Sequence, residues 1–176
     1  MHPSLAPLHI PDGFLSIGVS AFFWIISILM IATASKKTET SFGERQIPMM
    51  GIMAAFIFAA QMLNFPVAGG TSGHFLGGAL AAMVLGPWAG ILVLTAVIAL
   101  QGLLFQDGGL LVMGANIFNM GILTAIIGYG FYRSAQGKNR ALRMAVAGIS
   151  AWVSTVASAL LVSLQLWLSG TSRLEL

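Results

Sequence analysis

The chain has 176 residues, of which 57% are hydrophobic and 7% charged, with a net charge of +3 and no cysteine. A mean hydropathy of +0.91 excludes a water-soluble core and calls for helices that satisfy their own backbone in lipid, so the fold class is an all-α transmembrane bundle, one membrane domain over residues 1–176. Without cysteine there are no disulfides, thiolate metal sites or thiol nucleophiles, and eight Lys and Arg are too few for a nucleic-acid surface; they are loop charge in a membrane protein.

In chain order, apolar runs predict helical segments over Phe14–Ala34, Ile47–Leu63, Phe75–Leu85, Trp88–Leu104, Leu110–Tyr132 and Arg143–Leu168, about six spanning segments. Pro11-Asp12-Gly13 precedes the first run and no basic residue does, so it reads as a retained span rather than a cleaved leader, with Asp12 as its turn or cap. Lys36, Lys37 and Arg45 follow the first run, and Arg133, Lys138, Arg140 and Arg143 follow the fifth. The positive-inside rule puts both loops in the cytoplasm and the amino-terminal segment, residues 1–13, outside. By parity the loop from Asn64 to His74 is also external, as is Gln106-Asp107-Gly108-Gly109, provided that Phe75–Leu104 holds two short or partly re-entrant helices.

His2, His9 and His74 thus lie on one side of the membrane. A histidine in second place of a mature chain offers three adjacent nitrogens: the free amine, its own deprotonated amide and its imidazole. Their fused rings favour a planar arrangement that suits Ni(II) or Cu(II) and admits Co(II) once a distant imidazole, here His74, supplies the fourth nitrogen. Glycines 69, 70 and 73 permit a tight turn before His74, and Thr71 and Ser72 offer hydroxyls to support the ring from behind. Asn116 and Asn119, three apart on one helix face, read as polar glue between helices or as outer hydrogen-bond donors to the site. Small residues around Gly77, Ala81, Gly121 and Gly128 read first as helix packing and second as docking surfaces.

Five ordered strings, His9-Ile10-Pro11-Asp12-Gly13-Phe14-Leu15-Ser16, Gly69-Gly70-Thr71-Ser72-Gly73-His74, Leu85-Gly86-Pro87-Trp88-Ala89-Gly90, Leu104-Phe105-Gln106-Asp107-Gly108-Gly109 and Gly114-Ala115-Asn116-Ile117-Phe118-Asn119-Met120, resemble the CbiM/NikM substrate-binding membrane subunits of energy-coupling factor transporters for cobalt and nickel. The resemblance covers nearly the whole chain. It implies a multi-pass protein of a bacterial or archaeal plasma membrane that captures Co(II) or Ni(II) outside, with no cofactor. Its partners would be a transmembrane coupling subunit, two ATPase subunits and a small accessory membrane subunit, in a setting such as cobalamin biosynthesis.

In that family the ion is held by the terminal amine, the amide and imidazole of a second-place histidine, and the histidine of the Gly-Gly-Thr-Ser-Gly-His loop. Those roles carry to Leu8 as amine donor, if the mature chain starts there, to His9 and to His74. His2 is the alternative chelating histidine if Met1 is the mature start. Family members also look as though they continue into a further helix past Leu176, so a missing final helix is expected. A Walker phosphate loop is absent from the sequence, so ATP hydrolysis is expected of the partner subunits, and the leading reading is a transporter subunit with no catalytic activity of its own. An intramembrane metalloenzyme using Asp12 or Asp107 as base, or a passive metal channel, are the competing readings.

Overall fold

In the computed structural model, residues 9–41, 46–63, 65–67 and 71–171 are described. The helices are α1 (Ile17–Ser41), α2 (Gln46–Gln61), α3 (Gly78–Leu85), α4 (Pro87–Leu104), α5 (Met113–Asn116), α6 (Thr124–Arg133) and α7 (Arg140–Leu168), and a π-helical segment, Ile117–Leu123, fuses α5 to α6. All six expected segments are helical. One small addition interrupts the all-helical plan: β1 (Phe65–Val67) pairs antiparallel with β2 (Thr71–Gly73), Phe65 facing Gly73, as a ribbon in the loop before His74.

Among the described residues, four helical stretches are long and apolar enough to cross a membrane: α1, α4, the α5–π–α6 rod over Met113–Arg133, and α7. At 16 residues α2 is about 24 Å long, just short of a full hydrocarbon core, and α3 at eight residues reaches only about 12 Å. α3 is therefore the partial crossing that charge parity calls for. Gly86, with φ at +86°, reverses the chain, and Pro87 opens α4 at its first turn. The Nζ of Lys37 sits 4.3 Å above the Trp88 ring, so α4 starts at the basic end of α1. Its other end runs into the Gln106–Gly109 loop, which touches His9. Lys37 and His9 thus occupy opposite ends of the bundle.

The rod and α4 form the centre, with 61% and 50% of their apolar windows buried, whereas α1 and α7 at 22% and 17% turn side chains such as Phe22, Leu29, Trp152 and Leu160 outward as a lipid-facing surface does. Ile57, Ile91, Leu94, Ile98, Ile117 and Ile122 fill the middle. Close approach is set by absent side chains: a Cβ on Gly128 would lie 2.5 Å from the Cβ of Ala79, and one on Gly78 would strike Thr124 and the Met120 carbonyl. These faces join α3 to α6, which is the packing role expected of Gly128. The π-helical widening is accompanied by hydroxyls that take backbone carbonyls. Ser27 Oγ donates to Gly114 O (2.7 Å), Ser158 Oγ to Asn119 O (3.1 Å), and Thr124 Oγ1 to Met120 O.

Candidate metal centre

Everything at the histidine end depends on how residues 9–14 are held before α1 begins. Ser16 Oγ accepts the Val19 amide (3.4 Å) and so caps α1. Asp12, expected to cap that same span, holds the turn ahead of a different helix: its carboxylate accepts the amides of Leu110 (3.1 Å), Leu111 (2.9 Å) and Val112 (3.3 Å), just before the rod begins. They lead into α5, whose first residue is Met113, and a negative charge beside a helix start is favourable. Gly109 N–H donates to Ile10 O (3.0 Å), and Thr171 Oγ1 reaches Phe14 O from beyond α7. The segment is stitched to sequence 98 to 157 residues away.

That stitching brings Asp107 to His9. Asp107 offers its backbone carbonyl to His9 Nδ1 at 3.0 Å, with a carboxylate oxygen 3.7 Å from the same nitrogen. Two glycines make room. A Cβ on Gly108, whose φ is +98°, would lie 2.7 Å from His9 Cβ, and one on Gly109 would collide with Asp12.

His9 is 5% exposed, and its ring centroid is 5.6 Å from that of His74, the planes meeting edge-on at 88°. A ring nitrogen facing a carbonyl must carry the proton, so His9 with Nδ1 on Asp107 O has its lone pair on Nε2. That atom is buried without a hydrogen-bond partner among the described residues. His74 Nδ1 likewise faces Phe75 O at 3.0 Å, directing its lone pair to Nε2. Burial lowers the His9 pKa; the Asp107 carbonyl and charge pull it back up, and the His74 charge lowers it further. A neutral imidazole with a fixed tautomer is the ligand-ready state.

A metal ion about 2.1 Å from an imidazole nitrogen lies roughly 3.2 Å from the ring centre, so rings sharing one ion have centroids roughly 4.5–6.4 Å apart depending on the angle at the ion. The observed 5.6 Å falls within that span. Among the described residues no three or more His, Asp or Glu side chains converge as a metal cluster, so further donors would have to come from backbone nitrogen or the terminus. A ring closed between the His9 amide and its own imidazole passes through Nδ1, the atom that Asp107 holds here.

Beside the imidazoles opens a cavity of about 360 Å³ bordered by Asn116, Asn119, Met120, Thr155 and Ser158. The two asparagines do different work. Asn116 accepts Ile10 N–H on Oδ1 and donates to Ile10 O from Nδ2, both at 3.1 Å. Asn119 exchanges two amide hydrogen bonds with Gln165 of α7 (2.7 and 3.0 Å), the glue role. Thr71 and Ser72 lie in β2, their side chains outside the described portion, and His2 and Leu8 fall outside the described residues. Sequence reasoning passed over Gln61, Ser158 and Gln165; the available signal was a polar residue inside an apolar segment.

The profile of the cobalt uptake substrate-specific transmembrane region, CbiM, matches residues 9–175. This chain belongs to the CbiM family. It is 41% identical over 169 residues to a provisionally named metal transport protein of Haloquadratum walsbyi, covering 96% of this chain and 76% of that one. It is also 41% identical over 162 residues to a provisionally named fused nickel transport protein NikMN of Archaeoglobus fulgidus, covering 92% of this chain and 53% of the relative. The chain thus spans three quarters of one relative and about half of the other. The crystal structure of a truncated transition metal transporter superposes with a TM-score of 0.82 at 39% identity, over 90% of this chain and 73% of that one. CbiM-family membership and these transporter relatives agree with a multi-pass transporter component that is not an enzyme.

Proposed function

We propose that this chain captures Co(II) or Ni(II) at the outer face of a bacterial or archaeal plasma membrane for an ATP-driven energy-coupling factor uptake system. The substrate-specific membrane component of cobalt or nickel transport is the family's role; the finer assignment is our reading. The observation that carries it is the meeting of two imidazoles from positions 65 residues apart, His9 and His74, with their Nδ1 atoms both on backbone carbonyls. They supply two nitrogens. The amide of His9 and the amine of Leu8, if exposed as the mature terminus, or the equivalent groups at His2, complete a nitrogen set that ions preferring oxygen-rich octahedra do not match.

If the His9 amide joins, Nδ1 leaves the Asp107 carbonyl for the ion, and the Gln106–Gly109 loop loses one of its anchors. ATP hydrolysis belongs to partner ATPases reached through a transmembrane coupling subunit, with a small accessory membrane subunit alongside. Reconstitution tests this. The isolated subunit in proteoliposomes should bind Ni(II) or Co(II) without accumulating it, and accumulation should require the ATPases and ATP. ATP-independent flux through the subunit alone would replace this reading with a passive channel.

A further inference from the structure

Each of the two histidine rings is mounted on a short non-helical stretch, and a buried side-chain amide grips each stretch close to its ring. Asn116, 3% exposed at the end of α5, meets both backbone polar groups of Ile10, the residue after His9. Gln61, fully buried as the last residue of α2, donates from Nε2 to Leu76 O at 2.7 Å, two residues past His74. The same His74 stretch is further braced by the Phe75 ring against Phe56 of α2, centroids 6.4 Å apart. One grip comes from inside the continuous α5–π–α6 rod and the other from the last residue of α2.

The chemistry of the grip is specific to an amide. Asn116 gives one donor and one acceptor to a single residue's backbone, holding the peptide that joins His9 to Ile10 by its N–H and the next peptide by its carbonyl. An aspartate of the same shape would set a carboxylate oxygen against the Ile10 carbonyl. Gln61 is the less economical contact: its Oε1 is buried with no partner among the described residues. A buried acceptor left unmet costs stability, and here that cost accompanies the hold on the His74 stretch.

We propose that Asn116 and Gln61 are positioning residues that set the spacing and tilt of the His9 and His74 imidazoles, and through them the affinity and geometry of the ion site. The inference rests on the metal-capture reading above. Neither amide touches the ion; outer hydrogen-bond partners of ligands commonly change metal affinity 10–100-fold when replaced.

The test uses the full chain in nanodiscs, titrated with Ni(II) and followed by its visible d–d absorption, with the metal-free melting temperature recorded for every variant. Asn116→Asp and Gln61→Glu should each bind Ni(II) about 10–100-fold more weakly with a displaced absorption band. Gln165→Glu, which breaks a buried amide pair that grips Asn119 and neither Ile10 nor Leu76, should lower the melting temperature and leave the band in place. If either isosteric variant does not fold, Asn116→Ser and Gln61→Asn, which stay polar but lose reach, are expected to give the same displaced band. Wild-type affinity and spectrum in the Asn116 and Gln61 variants would overturn the inference, as would an affinity loss no greater than that of Gln165→Glu with an unmoved band. Wild-type protein whose Ni(II) binding ignores His74→Ala would instead overturn the assignment of the site itself.

Discussion

Gly108→Ala is the sharpest single perturbation of the histidine end. The residue sits at φ +98°, where an L side chain costs about 1–2 kcal/mol, and the added methyl would stand 2.7 Å from His9 Cβ and 3.2 Å from Asn116 Nδ2. Neither neighbour is a flexible tip. His9 Cβ is one bond from the backbone, and Asn116 is tied at both ends to Ile10, so relief requires the loop to move off His9 and stretch the 3.0 Å Nδ1–Asp107 contact. Two consequences separate in measurement. Backbone strain lowers the metal-free melting temperature by several degrees, as about 1–2 kcal/mol would. Displacement of His9 weakens Ni(II) binding further, by about tenfold for each 1.4 kcal/mol. Calorimetric titration and thermal unfolding in the same nanodiscs read both. A variant with unaltered melting and a Ni(II) affinity within twofold of wild type would refute the packing argument.

His74→Ala and His9→Ala should each abolish high-affinity Co(II) or Ni(II) binding while the protein still inserts; titration of the purified variants checks this, and retained affinity removes that ring from the ligand set. Asp12→Ala removes an anionic acceptor from three amides and should cost about 1–2 kcal/mol, read as faster hydrogen exchange at Leu110–Val112 with little change at the start of α1. Because burial holds the His9 pKa below its unfolded value, the unfolded chain takes up the proton first as pH falls. Both states are neutral well above about 6.5, so stability is full there and declines as pH drops through the folded value. Thermal unfolding from pH 8 to pH 5 should show this decline, and His9→Asn should flatten it. Gly128→Val adds bulk at a position whose first side-chain carbon would already stand 2.5 Å from Ala79 Cβ, and should destabilise the bundle by about 1–3 kcal/mol; an unchanged melting curve would mean that α3 and α6 are not held there.

The helical segments were legible because lipid enforces a simple rule, and the run lengths and the Lys–Arg loops carried it to the level of the half-length α3. Co-location of His9 and His74 was legible for the same reason, as a matter of which side each loop faces. The partners of individual polar residues were not. Asn116 and Asn119 read as one helix face at α-helical spacing, but the intervening π-helical turns rotate them onto different neighbours, Ile10 and Gln165. Asp12 stands just ahead of α1, and proximity in sequence favoured that helix; only the folded loop reveals that the turn ahead of α5 takes the carboxylate. Gln61 carries no local pattern, and its role depends wholly on which backbone passes its end.

The contact of His9 with Asp107 spans 98 residues. At a synthesis rate of about 5–20 residues per second, the leading stretch waits roughly 5–20 s after its own emergence before the loop that seats it exists. Until then Asp12 has no turn to hold and the imidazole no carbonyl to fix its proton. The seating of His9 beside His74 therefore arrives late in biogenesis, as a property of the assembled bundle.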